Sequence, residues 1–283
     1  MSIAHETGRV RSGELAIFYR KLGRPGGVPI LIVHGLSYFS YDWLEAARAL
    51  GAAREVVAID MRGFGDSDCS PAKDYSVPAM AQDIVSVLDH LGWPRAVLAG
   101  HSMGGRSSTY VAARHPGRAA GLVLVDYTPE NAPAGAKRVT QTVARAPDFF
   151  SSVDEAMRYF ASEDRPRFEA YLRRTGDGYA LKRDPHFRDQ FRKALDTGER
   201  PKPGVDMWSL IGEVRCPILS LRGTRSDMYA AETVQKMRAA NPRLQVAQID
   251  AGHNIAGENL DAFVSELRPF LDELEESHEH ERR

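Results

Sequence analysis

Short apolar runs alternate with segments of helical spacing along most of this chain, and this alternation restricts its fold more than any other feature. The runs have the length and apolar content of strands buried on both faces. They are "VPILIVHG" (28–35), "REVVAID" (54–60), "RAVLAGHS" (95–102), "GLVLVD" (121–126), "CPILSLRG" (216–223) and "LQVAQIDAGH" (244–253). Helical periodicity marks residues 41–51, 76–91, 103–114, 230–239 and 258–274. The sequence therefore predicts an α/β fold: a mostly parallel twisted sheet with helices on both faces, extended by an antiparallel hairpin from residues 8–23.

One interval breaks the alternation. Residues 127–210 carry no buried-strand pattern and contain amphipathic segments, prolines and many aromatic residues. A structureless loop of this length is uncommon in a compact domain. We expect a helical cap at 127–210, inserted into a core formed by residues 1–126 and 211–283. Some aromatic side chains of this interval line a substrate pocket or form the cap's own core; they are Phe149, Phe150, Tyr159, Phe160 and Trp208.

Charge and composition limit the partners of this chain. Its 283 residues carry a formal net charge of −1, which gives no field to recruit nucleic acid or an anionic membrane. No apolar stretch is long enough to span a bilayer, and the start, "MSIAHETGRV", lacks the pattern of a secretory signal. The two cysteines, Cys69 and Cys216, indicate no disulfide framework. We expect a cytoplasmic protein with a small-molecule substrate, while the oligomeric state is not predicted.

The segment "GHSMGG" (100–105) follows a predicted strand and opens a predicted helix, which is the context of a G-x-S-x-G nucleophile elbow. The sharp turn strains the serine, and the flanking glycines leave room for it. Ser102 is the predicted nucleophile, and the N–H of Met103 would point at a developing oxyanion. The loop after "LIVHG" offers the N–H of Leu36 as a second oxyanion donor. The predicted base is His253, in "DAGHN" after the last strand.

Taken together, "HGLS", "DMRGFGDSD", "GHSMGG" and "AGHN" resemble the motifs of the α/β-hydrolase superfamily, in order and spacing, from about residue 28 to about residue 274. The resemblance implies the α/β-hydrolase fold, a cap at the position given above and the roles of the residues just named. "GHSMGGRSS" followed by "LVLVDYTPE" is similar to a narrower set of small-carboxylate hydrolases that includes 2-(acetamidomethylene)succinate hydrolase. Haloalkane dehalogenases and epoxide hydrolases are disfavoured, since they carry aspartate where this chain has Ser102.

Two residues compete for the role of the triad acid. The resemblance implies an acid three residues beyond a glycine after the strand that follows the cap, but in "LRGTRSDMY" that position is Ser226, and Asp227 is one residue late. Asp126 ends the strand after the elbow strand, where some superfamily members keep their acid. A carboxylate at the end of a buried strand also requires a partner. We favour Asp126 over Asp227.

Arg106 also has two interpretations. It lies four residues after Ser102, so both side chains face the same way from the predicted helix. An unpaired guanidinium on a largely buried helix is costly. Arg106 either pairs with Asp66 or Asp68 of the "GDSD" loop, which we favour, or binds a substrate carboxylate through two parallel hydrogen bonds.

These residues predict a serine hydrolase that needs no cofactor and no metal, since the sequence contains no P-loop, dinucleotide fingerprint or metal-ligand cluster. Its expected reaction is hydrolysis of a carboxylic ester through an acyl-enzyme intermediate. The alternatives are amide or carbon–carbon bond cleavage in a small carboxylated substrate, and a non-catalytic ligand receptor on the same fold.

Overall fold

The computed structural model describes residues 3–147, 149–199 and 202–282, with side chains up to residue 277. Its strands are β1 Glu6–Ser12, β2 Leu15–Gly23, β3 Ile30–Val33, β4 Glu55–Ile59, β5 Ala96–His101, β6 Ala119–Val125, β7 Leu172–Thr175, β8 Gly178–Leu181, β9 Ile218–Gly223 and β10 Leu244–Ile249. Eight of them form one sheet in the order β1-β2-β4-β3-β5-β6-β9-β10. β2 pairs antiparallel with β1 and β4, and the remaining neighbours are parallel. The predicted α/β class and the edge hairpin are both confirmed.

Helices cover both faces of this sheet. They are α1 Leu44–Leu50, α2 Val77–His90, α3 Met103–Arg114, α4 Pro133–Arg145, α5 Val153–Tyr159, α6 Arg165–Tyr171, α7 Pro185–Thr197, α8 Met207–Glu213, α9 Thr233–Ala240, α10 Ile255–Glu258 and α11 Leu260–Arg282. Successive side chains of a strand point to opposite faces. In β3, Leu31 and Val33 pack in the layer that holds α2, α3, α8 and α9. Ile30 and Ile32 pack in the opposite layer, with α1 and α11. Burial on both sides explains why these strands are continuous apolar runs.

The interval between β6 and β9 differs from its prediction in two places. β7 and β8 form a separate antiparallel hairpin, with Gly176 in the turn at a φ of +53°. This hairpin is short and carries exposed arginines, so it lacks the apolar pattern of a buried strand. The predicted cap limit at residue 210 lies inside α8, whose Leu210 and Ile211 belong to the apolar core under the sheet.

Only two of the five aromatic residues named for this interval occupy an expected place. Phe150 is buried in a small apolar cluster formed largely by this interval, and Phe160 packs against that cluster and also lines a large cavity. Trp208 packs against the core instead, while Phe149 and Tyr159 are exposed. Within residues 3–147, 149–199 and 202–282, no helix is long and apolar enough to cross a membrane.

Candidate active site

Ser102 lies at the turn between β5 and α3, at the carboxyl edge of the sheet. Its φ of 49° and ψ of −113° are a conformation that side chains rarely adopt, at a cost of about 1–3 kcal/mol. The turn requires Gly104, because a Cβ there would lie 2.2 Å from the carbonyl oxygen of Val33. It also requires Gly100, whose Cβ would lie 2.7 Å from the carbonyl oxygen of Gly104. The sequence "GHSMGG" thus forms the predicted strand–turn–helix elbow.

The register of the sheet explains how an acid comes to lie beside this elbow. His101 pairs with Val125, so Ser102 and Asp126 each follow the last residue of neighbouring parallel strands. The backbone of Asp126 also lies in the left-handed region, with a φ of 45°, and its side chain is fully buried. Nδ1 of His253 lies 2.6 Å from Oδ2 of Asp126. Asp126 and His253 therefore form a hydrogen-bonded pair next to Ser102.

The other candidate acid, Asp227, is hydrogen-bonded to an arginine and not to His253 among the described residues. Both carboxylate oxygens of Asp227 accept hydrogen bonds from Arg138 on α4, at 2.6 and 2.8 Å. This hydrogen bonding holds the pKa of Asp227 below its usual value. Asp227 therefore pairs with the interval between β6 and β9, and the carboxylate that is hydrogen-bonded to His253 is that of Asp126.

Two residues beside this pair were not predicted as functional. Ser226 donates a hydrogen bond to Oδ2 of Asp126, at 2.5 Å. Nε2 of His101 lies 3.0 Å from the backbone oxygen of His253, and burial lowers the pKa of His101 well below its usual value. A neutral His101 with its proton on Nε2 therefore donates to this oxygen and holds the loop that carries His253. The sequence does contain an indication that His101 lies at the site, because this residue belongs to the "GHSMGG" motif and directly precedes the predicted nucleophile.

The predicted oxyanion donors lie at the same end of the sheet. The N–H of Met103 is at the first position of α3, where a helix offers no carbonyl of its own. Nδ1 of His34 lies 2.7 Å from the carbonyl oxygen of Gly35, and its Nε2 accepts the N–H of Met61 at 2.9 Å. Burial lowers the pKa of His34 to about 4, so the ring is neutral and Nδ1 is the donor. Because a trans peptide points its C=O and N–H in opposite directions, this bond also orients the N–H of Leu36.

These groups open into a cavity of about 1340 Å³ between the sheet edge and the cap. Its lining includes Ser102, His253, Leu36 and Met103. Ion pairs hold the cap over it: Arg167 of α6 lies 2.5 Å from Asp42, in addition to the Arg138–Asp227 pair. The cavity is thus large enough for a small organic molecule and reaches Ser102.

Arg106 lines this cavity and does not form the ion pair that we favoured. Asp66 instead binds Lys182 at 2.7 Å, and Asp68 accepts the N–H of Ala16 at 2.8 Å. No carboxylate of the described residues forms an ion pair with Arg106. The "GDSD" loop curls back towards β2 and the cap, which places its acids out of reach of α3.

Among residues 3–147, 149–199 and 202–282, no group of three or more histidine, cysteine, aspartate or glutamate side chains could hold a metal ion.

Comparison with known proteins places this geometry among hydrolases. A family model described as alpha/beta hydrolase fold matches residues 28–260. The curated N-formylmaleamate deformylase of Pseudomonas putida is 28% identical over 266 residues, which are 94% of this chain and 96% of the deformylase. Esterase YbfF of Escherichia coli is 28% identical over 250 residues, which are 87% of this chain and 93% of the esterase.

The crystal structure of E-2-(acetamidomethylene)succinate hydrolase has the same fold as this chain. It superposes with a TM-score of 0.83 at 23% identity, covering 95% of this chain and all of that one. The narrower resemblance found in the motifs is therefore confirmed at the level of fold.

Proposed function

This chain belongs to the alpha/beta hydrolase fold family, and from that membership we propose that it is a serine hydrolase with Ser102 as nucleophile, His253 as base and Asp126 as acid. The observation that carries the proposal is the 2.6 Å hydrogen bond between His253 and a fully buried Asp126, beside a serine held at a φ of 49°. A structural histidine needs no such neighbour, whereas a general base requires a fixed tautomer.

In the proposed reaction, Asp126 accepts a hydrogen bond from the Nδ1–H of His253, which keeps the proton on Nδ1 and leaves Nε2 free to accept the proton of the Ser102 hydroxyl. Oγ then attacks the substrate carbonyl carbon, and the resulting oxyanion accepts hydrogen bonds from the N–H groups of Leu36 and Met103. The leaving group takes the proton from His253, and an acyl-serine remains. Water activated by the same histidine releases the acid and restores Ser102.

The expected substrate is a small carboxylic ester, which agrees with the name of the Escherichia coli esterase among the relatives. Amide cleavage in a small carboxylated substrate is the second candidate, and a specific observation favours it. Arg106 faces the cavity four residues from Ser102 without an ion pair to any described carboxylate. A carboxylate on the substrate would provide the missing partner, and the Pseudomonas relative is named for such a compound, N-formylmaleamate.

We expect a fluorophosphonate probe to label the protein at a stoichiometry of one and at Ser102, because the probe reacts with a serine that a base has activated. Intact-mass and peptide mass spectrometry measure the stoichiometry and the site. A parallel screen with acyl esters, lactones and small acylated amino carboxylates identifies the scissile bond. A non-catalytic receptor would label poorly and hydrolyse none of these compounds, which would refute the proposal.

Arg106→Lys is expected to raise KM for anionic substrates by about 10–100-fold, while KM for matched neutral substrates stays within about twofold. Lysine keeps the charge but loses the two-pronged contact with a carboxylate, which is worth about 1.5–3 kcal/mol. The matched control is Arg114→Lys on the same helix, where Arg114 pairs with Glu213 outside the cavity. An equal change for both kinds of substrate, together with a lower melting temperature, would assign Arg106 a structural role instead.

A further inference from the structure

The Asp126 carboxylate is held by more than its histidine. Its Oδ1 accepts the N–H of Gly223 at 3.0 Å. Its Oδ2 accepts two hydrogen bonds, one from Nδ1 of His253 at 2.6 Å and one from the hydroxyl of Ser226 at 2.5 Å. Ser226 therefore contacts the same oxygen atom that binds the base.

The direction of the Ser226 proton follows from its neighbours. The Ser226 hydroxyl oxygen accepts the N–H of Met228 at 3.1 Å. An ionised carboxylate can only accept, so the hydroxyl proton must point at Asp126. The backbone fixes the hydroxyl in place, since the N–H of Ser226 donates to the carbonyl oxygen of Gly223 at 3.1 Å. The loop after β9 thus presents two rigid donors to the two oxygens of one carboxylate.

We propose that Ser226 is a positioning residue for the reaction: it fixes the plane of the Asp126 carboxylate and shares the negative charge of the oxygen that binds His253. This inference rests on the proposed function. Rotation about the terminal bond of an aspartate side chain is soft, so donors on both oxygens are needed to hold one orientation. Ser226 is not part of the described cavity lining, so it acts through Asp126 and not on the substrate.

The hydrogen bond from Ser226 also affects how strongly Asp126 attracts a protonated His253. A hydrogen bond to a carboxylate spreads its negative charge and weakens its attraction for a neighbouring cation. Without the Ser226 hydroxyl, Asp126 would stabilise protonated His253 more strongly. The hydrogen bond between His253 and Asp126 would then be stronger than in the unchanged protein.

The test compares Ser226→Ala with Ser226→Thr, which keeps the hydroxyl, and with Thr224→Ala, which removes an exposed hydroxyl from the same loop. For Ser226→Ala we expect kcat to fall about tenfold, the equivalent of one lost hydrogen bond, with KM unchanged. Ser226→Thr should restore most of kcat, and Thr224→Ala should leave both kcat and KM unchanged.

A kcat of Ser226→Ala within twofold of that of Thr224→Ala would overturn the proposal, as would equal losses in the alanine and threonine variants. If Ser226→Ala does not fold, Ser226→Cys replaces it, because a thiol of similar size is only a weak donor. Proton NMR of the free protein supplies a readout that needs no turnover. The resonance of the proton between His253 and Asp126 should move to lower field in Ser226→Ala, so Ser226 can be tested even if no substrate is hydrolysed.

Discussion

Replacing Ser102 with alanine is expected to remove nearly all turnover, by about 10³-fold or more, while the protein still folds. Alanine keeps the Cβ of serine, so the strained turn at a φ of 49° is no worse than before. What disappears is the oxygen that attacks the substrate, and neither His253 nor the oxyanion donors can replace it. The loss should appear in kcat and in fluorophosphonate labelling, and circular dichroism should show an unchanged melting transition within a few degrees.

Ser108→Ala is the matched control for this variant. Ser108 lies on the same helix, is fully buried, and its hydroxyl has no hydrogen-bond partner among the described residues. Its removal should leave turnover unchanged. Activity in Ser102→Ala comparable with that of Ser108→Ala would end the serine-hydrolase assignment, since it would mean that the reaction does not pass through this side chain.

The sequence predicted well those elements whose burial imposes a recognisable pattern of residue types within a short segment. The β3 run is apolar at every position because both of its faces are covered, and the elbow is readable because only glycine fits at Gly100 and Gly104. The position of Asp126 beside the elbow could also be anticipated, since this residue directly follows a buried strand that pairs with the elbow strand. In each case, the structure is determined by residues nearby in sequence or by residues on adjacent strands whose pairing can be inferred.

The predictions that needed correction depend on partners distant in sequence. The hairpin of β7 and β8 is too short and too polar to show a strand pattern, and α8 resembles a cap helix until its contacts with the core are known. The favoured partner of Arg106 was wrong because Lys182, more than 100 positions away from the "GDSD" loop, already binds Asp66. Ser226 likewise gains its role from a contact with a residue 100 positions earlier. No periodicity or motif encodes such contacts.

Asp126→Asn is expected to lower kcat by about 10³–10⁴-fold with folding intact, whereas Asp227→Asn should cost little. Asparagine can still accept the N–H of Gly223 through its carbonyl oxygen, and it tolerates the left-handed φ of 45°. Its amide nitrogen, however, would face Nδ1 of His253 as a donor. The histidine would then carry its proton on Nε2, the atom that must accept the proton of Ser102, so the base would be held in the wrong tautomer.

Asp227→Asn serves as the matched comparison, because it makes the same change one residue after Ser226. It would weaken the exposed ion pair with Arg138, a contact that links cap and core and contributes little to stability when solvated. Steady-state kinetics on both variants with one substrate measure the difference. A large loss in Asp227→Asn with near-normal turnover in Asp126→Asn would reverse the assignment. The His253–Asp126 contact would then be a resting arrangement, and the loop after β9 would have to rearrange to bring Asp227 to the histidine during catalysis.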